Sequence, residues 1–422
     1  MKRRWRWGAT ALAATTLAAT TLGVLGLSQV SSSAAPSISL TEMDYFSTPG
    51  QLAALNGYIK QFNATHPGVT VTRTYVTFAD LDQKLLTDAA GHDLPNILAV
   101  DNPFVPTMIQ TGEMVPLSGF KGFTPMGYYP AVMDEGLSAG KYYSYGVGAN
   151  SVALMYNIPM LKAAGISPPK TWAQLVTDAK ALTTSSHYGI AFSAPNTEES
   201  TWQFEPFLWS NGGNFSSIAS APGVQALTLW KTLVDDGSAS KAVLSWGQTP
   251  DVSGQFEAGK AAMMVNGPWN FSSLNLQHWY YGKQFGIVPV PVRTAGQTVV
   301  VPLGGEDWMI SNSGGSAAQQ AAYEFVHGMQ TPSVMLSFAK NFGYIPPLES
   351  VAKTFLKTAG PEWSVFLNQT LNAHPRTLGL GPKYPKISEA VWTAIQAALS
   401  GTATPQAALT TAQSQIKSIM GS

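Results

Sequence analysis

A chain of 422 residues is longer than one compact core accommodates, so two domains are predicted. Hydrophobic residues make up 45% and charged ones only 11%, with 24 basic against 24 acidic; this leaves no electrostatic footprint for nucleic acid and favours a neutral, hydrogen-bonding ligand over a polyanion. Cysteine is absent, which excludes disulfides, thiol catalysis and cysteine-based metal sites. The low charge also suits an acidic medium, where carboxylates protonate and unbalanced lysines repel one another.

The N-terminus reads as an export leader. Lys2, Arg3, Arg4 and Arg6 form a basic start, Ala9 to Leu27 an apolar run, and Ser32 to Ala35 a small-residue cleavage site. Residues 1–34 are therefore expected to be a signal peptide, with an uncleaved anchor as the alternative because the run is about 19 residues long. Arg3-Arg4 touches on the twin-arginine pattern, but the rest of that motif is poor. Outside this leader the balance is 20 basic against 24 acidic residues, and no other stretch is long and apolar enough to span a bilayer.

A first strand is predicted over 37–46, then a helix over 51–65 with Leu52, Leu55, Ile59 and Phe62 at helical spacing. His66-Pro67-Gly68 ends it, and 69–76 alternates as a second strand. A short helix follows over 81–90, closed by Gly91, and 96–100 is an apolar run of the kind buried in a parallel sheet. Strand, helix, strand, helix, strand is the pattern of a doubly wound α/β lobe. The pattern restarts with strand-rich residues 142–156. Thr171 and Gln174 form a capping box at a helix start. Strands are expected at 188–192, 261–265 and 285–290, and helices at 224–234, 317–338, 387–398 and 405–420. With no long linker or repeat, the lobes are expected to be built from discontinuous segments.

Several stretches resemble the family-1 extracellular solute-binding proteins, the maltose-binding-protein-like group. They are Asn96 to Asp101 followed by Gly112 to Leu117; Tyr145 to Asn150, Leu154 to Asn157, Ala164-Gly165 and Pro169 to Trp172; Phe256 to Trp269; Ala321 to Val326 with Gly343 to Pro346; and Leu399 to Gly401 with Pro405 to Leu409. They occur in the family's order and cover most of the chain beyond the leader. The resemblance implies an α/β, two-lobed periplasmic-binding-protein-like fold with discontinuous lobes and a hinge: an N-lobe of 37–148 plus 306–345 and a C-lobe of 149–305 plus 346–422. It implies a monomer that captures a mono-, di- or oligosaccharide between the lobes and delivers it to the permease subunits of an ABC transporter, with no metal or cofactor. Three departures stand out. The lipid-anchor cysteine is missing, Asn150 replaces the glutamate that maltose binders carry before the Tyr-Asn strand, and Asp101-Asn102-Pro103 replaces their aspartate–arginine pair.

Sugar recognition needs flat aromatic faces and planar polar groups. Trp269 falls where the resemblance places a stacking tryptophan, and Trp202 where it places an aromatic at the cleft; a core role is the alternative for both. Phe46 and Ser47 follow the first strand, and Asp101 and Asn102 the third, at cleft-facing ends. Loop packing competes for the first pair and helix capping for the second. Asn150 sits at the crossover, where its amide can both donate and accept. In Gly304-Gly305-Glu306-Asp307-Trp308, glycine permits close approach, two carboxylates accept from hydroxyls and a tryptophan can stack, although turn chemistry also accounts for the run. Tyr344 is a further candidate. Arg376 either anchors an anionic ligand such as glycerol phosphate or bridges carboxylates.

An enzyme is the rival class. Gly136-Leu-Ser138-Ala-Gly140 matches GxSxG, but loop precedes and strand follows, the reverse of a nucleophile elbow. The six histidines are scattered without a metal-binding pair. A secreted glycoside hydrolase needs two opposed carboxylates, and Glu306 and Asp307, adjacent in sequence, are expected to diverge.

Overall fold

The computed structural model describes residues 37–370 and 373–421; the signal peptide expected over 1–34 lies outside them. Two mixed sheets organise the chain. The first contains β1 (Ile38–Asp44), β2 (Val69–Tyr75), β3 (Ile97–Asp101), β4 (Ser144–Gly146) and β9 (Glu306–Ile310), in the order β2-β1-β3-β9-β4. The second contains β5 (Ala153–Asn157), β6 (Tyr188–Ala191), β7 (Ala261–Asn266) and β8 (Phe285–Val288), in the order β8-β5-β7-β6. The expected parallel pairing holds for β1 with β2 and β3, and for β6 with β7. Strand β9 runs antiparallel to β3 and β4 because the chain re-enters the first sheet from the opposite end after building the second.

Both faces of each sheet are covered, which is why the strands read as apolar runs rather than alternating ones. In the first sheet, Leu40, Ile97, Ala99, Trp308 and Ile310 pack against Leu55, Ile59 and Phe62 of α1 (Pro49–Thr65) and against α6 (Gly315–Gly328). Met43, Leu98, Val100 and Met309 face the other way, onto Leu81 and Leu85 of α2 (Phe78–Gly91). In the second sheet, Leu154, Ile190, Met263 and Val265 meet α3 (Trp172–Leu182), α4 (Glu198–Ser210), α5 (Ala221–Asp235), α8 (Tyr384–Ser400) and α9 (Pro405–Met420). Met155, Ala191 and Met264 pack on Phe256, Phe271 and Phe366 on the reverse face.

Local signals mostly hold. Thr171 and Gln174 form the expected capping box, and Thr48 with Gln51 makes a second one at the start of α1; each cap contributes about 1 kcal/mol. Two expectations need correcting. Helix α2 runs through Gly91, and His92, at φ 54°, takes the left-handed cap. The helix expected over 317–338 is two: α6 ends at Gly328, and Pro332, fitted to a first-turn position, opens α7 (Pro332–Phe338). Helix α4 was not foreseen. Ten of its 13 residues are buried and Pro206 lies inside it, so it shows no amphipathic stripe.

The chain crosses between the sheets at three adjacent places. Val147 N–H donates to the Glu306 carbonyl at 2.7 Å, Ala149 and Ile345 exchange backbone bonds at 2.9 and 2.8 Å, and Asn150 and Gly304 do so at 2.9 and 3.0 Å. Gly305 holds φ 142°, and a Cβ there would collide with the Gly148 carbonyl, so only glycine lets these strands lie so close. Among the described residues no helix is long and apolar enough to cross a membrane.

Candidate functional site

The strand ends of both sheets and the crossover segments enclose a cavity of about 340 Å³, toward the lower end of the ~300–1,000 Å³ range of small-molecule sites. The fold brings nine of the predicted residues onto its wall: Ser47, Asp101, Asn150, Trp202, Trp269, Gly305, Glu306, Tyr344 and Arg376.

Four others lie elsewhere. Phe46 is fully buried in the first core, packed on Phe342 with ring centroids 4.6 Å apart. Asn102 lies behind the wall, where it accepts from Arg376 at 2.6 Å. The run Gly304 to Trp308 does not act as a unit, because β9 alternates its side chains. Glu306 reaches the cavity, whereas Asp307 points to the opposite face and accepts from Ser144 Oγ at 2.6 Å. Trp308 shares the face of Glu306 but sits one step deeper, fully buried in the core. Glu306 and Asp307 therefore do not face each other as a hydrolytic pair. Ser138 of the GxSxG match lies in a hairpin, in which Leu137–Ser138 pairs with Lys141–Tyr142, and not on an elbow.

The wall is built in layers. At the end of the first sheet Asp101 stands directly opposite Glu306 in the β3–β9 register. The Tyr45 and Tyr344 hydroxyls each donate to one oxygen of Glu306. Burial pushes Glu306 up to about 8, with Arg376 opposing and Asp307 adding to the rise. From the second core, α4 presents Glu198, Glu199 and Trp202. Burial raises Glu198 above the usual carboxylate range against the pull of Arg376, and raises Glu199 to about 7.

Arg376 joins the two sides. Its guanidinium donates to Asp101 at 3.0 and 2.7 Å, to Glu198 at 2.8 Å, to Asn102 at 2.6 Å and to the Leu303 carbonyl at 3.4 Å, and lies 4.7 Å from the Trp202 ring centroid. A guanidinium has five N–H groups, and all five are engaged within the protein. Arg376 thus bridges buried carboxylates and has no N–H left for an anion.

The polar groups that remain open are of another kind. The Asn150 side chain lines the cavity, is 6% exposed and has no protein partner among the described residues. Its Oδ1, with the Trp202 ring, fills the space a Cβ at Gly304 would need. Trp269 is half-buried and offers part of its ring. Among the other wall residues, Tyr45, Tyr75, Phe78, Glu198, Glu199, Gln248 and Asp251 were not foreseen. The first strand ends at Asp44 rather than at Phe46, which turns Tyr45 from a strand residue into a wall residue just beyond the strand end.

The family model described as bacterial extracellular solute-binding protein matches residues 57–364. A Brucella abortus protein described as a binding protein is 26% identical over 410 residues, covering 93% of this chain and 96% of its own. Maltose-bound MalE3 of T. maritima superposes with a TM-score of 0.81 at 21% identity, covering 91% of this chain and 100% of that one. The Thermotoga lettingae ABC transporter solute-binding protein bound with α-D-tagatose gives 0.80 at 23% identity, with the same coverage.

Proposed function

This chain belongs to the bacterial extracellular solute-binding proteins, and on that footing we propose that it captures a small carbohydrate in the cleft and hands it to the permease of an ABC transporter. The observation that carries the reading is the composition of the cavity wall. Aromatic faces (Tyr75, Trp202, Trp269) stand beside uncommitted hydrogen-bonding groups (Ser47, Asn150), while the one guanidinium is fully engaged. Aromatic faces suit the C–H-rich faces of sugars, and amides and carboxylates suit their hydroxyls. An anionic cargo such as a polyol phosphate finds no open cation among the described residues of the wall. The modest volume favours a mono- or disaccharide over a long chain.

The mechanism we assign is closure by population shift. The lobes, 37–148 plus 306–345 and 149–305 plus 346–422, rotate about the three crossovers, and a ligand that touches both walls only in the closed form draws the equilibrium toward it. A thermal-shift screen of the chain beyond residue 36 against sugars and polyols tests the proposal. A ligand at 100 times its Kd adds ~2.7 kcal/mol, so at least one sugar should raise the midpoint by a readable step and be recovered unchanged by chromatography. Silence across the panel refutes sugar capture, and recovery of cleaved sugar replaces the binder with a glycoside hydrolase.

A further inference from the structure

The cavity wall carries Asp101, Glu198, Glu199, Asp251 and Glu306 against a single guanidinium, that of Arg376. Two of these carboxylates differ from the others in how they are held. Glu199 Oε1 accepts from the Gln248 backbone N–H at 3.0 Å and from its side-chain amide at 3.4 Å. Asp251 Oδ2 accepts from the Gly247 N–H at 3.0 Å. The two acids thus flank consecutive residues, each fixed through one oxygen, and the second oxygen of each has no protein partner among the described residues. No lysine, arginine or histidine there forms an ion pair with either. They are close enough that Asp251 adds to burial in raising Glu199. The arrangement is a pair of acids with fixed orientation, an open oxygen on each and no counter-charge among the described residues; burial holds Glu199 at about 7, so a cation seated there would draw it into its charged form.

A second, separate observation says the cavity is built for a ligand. Asn150 is nine-tenths buried, faces the same space and has no partner for its amide among the described residues. The half-buried face of Trp269 also favours a cation, since a ring face carries partial negative charge; Trp202 and Tyr75 already carry the guanidinium groups of Arg376 at 4.7 Å and Arg73 at 5.7 Å. Among the described residues no group of three or more His, Asp or Glu side chains has the arrangement to hold a metal ion, so an organic ammonium suits the pair better than a divalent cation.

We propose that the carbohydrate this cleft takes bears a basic nitrogen, an amino sugar or amino-disaccharide, with its ammonium seated between Glu199 and Asp251. The proposal rests on the sugar-capture reading above. Its test is calorimetry at about neutral pH on matched sets: glucose, glucosamine and N-acetylglucosamine, then cellobiose, chitobiose and its deacetylated form. In at least one set the free amine should bind tenfold or more tighter than both its hydroxyl and its N-acetyl counterparts. In Glu199→Gln and Asp251→Asn that ratio should fall toward one. If neutral and N-acetyl sugars bind as well as the amine, the proposal is overturned while sugar capture stands. If no sugar of any kind binds, sugar capture itself fails and this proposal with it. Calcium chloride alone raising the thermal midpoint, with no amine preference, overturns it in favour of a metal site. Should either variant fail to fold, the wild-type ratios still decide.

Discussion

Glu306 offers a direct reading of how the site's burial is linked to protons. It is 6% exposed, sits opposite Asp101 and meets two tyrosine hydroxyls. Burial lifts it from 4.5 to about 8. Between those values the unfolded chain has released this proton and the folded chain still holds it. Each unit of pH rise in that window therefore lowers folding stability by about 1.4 kcal/mol. The contribution is complete below about pH 4.5, is lost progressively above it, and is gone past about pH 8. Over the window of roughly 3.5 units the loss amounts to about 5 kcal/mol. Glu306→Gln keeps an acceptor for one tyrosine hydroxyl, requires the other to turn from donor to acceptor, and removes the titration. Urea melts of wild type and variant at pH 4, 6, 8 and 9 should show the variant gaining on the wild type by several kcal/mol between the first and the last. Parallel profiles across that range would refute the assignment of a buried, protonated Glu306.

Two further outcomes follow from the same wall. Arg376→Met leaves Asp101 and Glu198 buried without their counter-charge, which costs about 3–5 kcal/mol; adding Asp101→Asn should recover part of the lost urea midpoint, and no recovery would argue against the bridge. Trp269→Ala should raise the sugar Kd about tenfold or more through lost stacking, with the ligand-free thermal midpoint nearly unchanged because the ring is only half-buried; an unaltered Kd removes Trp269 from the contact surface.

The strands were legible because both faces of each sheet are covered, which turns stretches such as Ala261–Asn266 into continuous apolar runs bounded by turn residues. The capping box at Thr171 was legible because it is local chemistry, complete within four residues. Helix α4 was hidden by the opposite condition. Packed on nearly every side and interrupted by Pro206, it has no polar face to set the period, and with it went Glu198 and Glu199. The wall around Gln248 and Asp251 escaped for a related reason: Thr249 breaks the helical backbone there, so no periodic signal marks the segment.

The candidate site divides along the same line. Position after a strand end placed Ser47 and Asp101 at the cavity, yet the side-chain alternation of β9 sent Glu306 and Asp307 to opposite faces. What no local pattern contains is which distant groups consume one another. Arg376 lies 275 residues from Asp101 and 178 from Glu198, and only the closing of both sheets around one cavity brings the three together. That pairing decides the chemistry of the site. A free guanidinium there would favour an anion; one whose five donors are all engaged leaves the uncommitted carboxylate oxygens of Glu199 and Asp251 to set the sign of the charge a ligand meets. Acid residues that sequence alone treats as interchangeable hydroxyl acceptors thus separate into two kinds: those neutralised within the fold, and those still waiting for a partner.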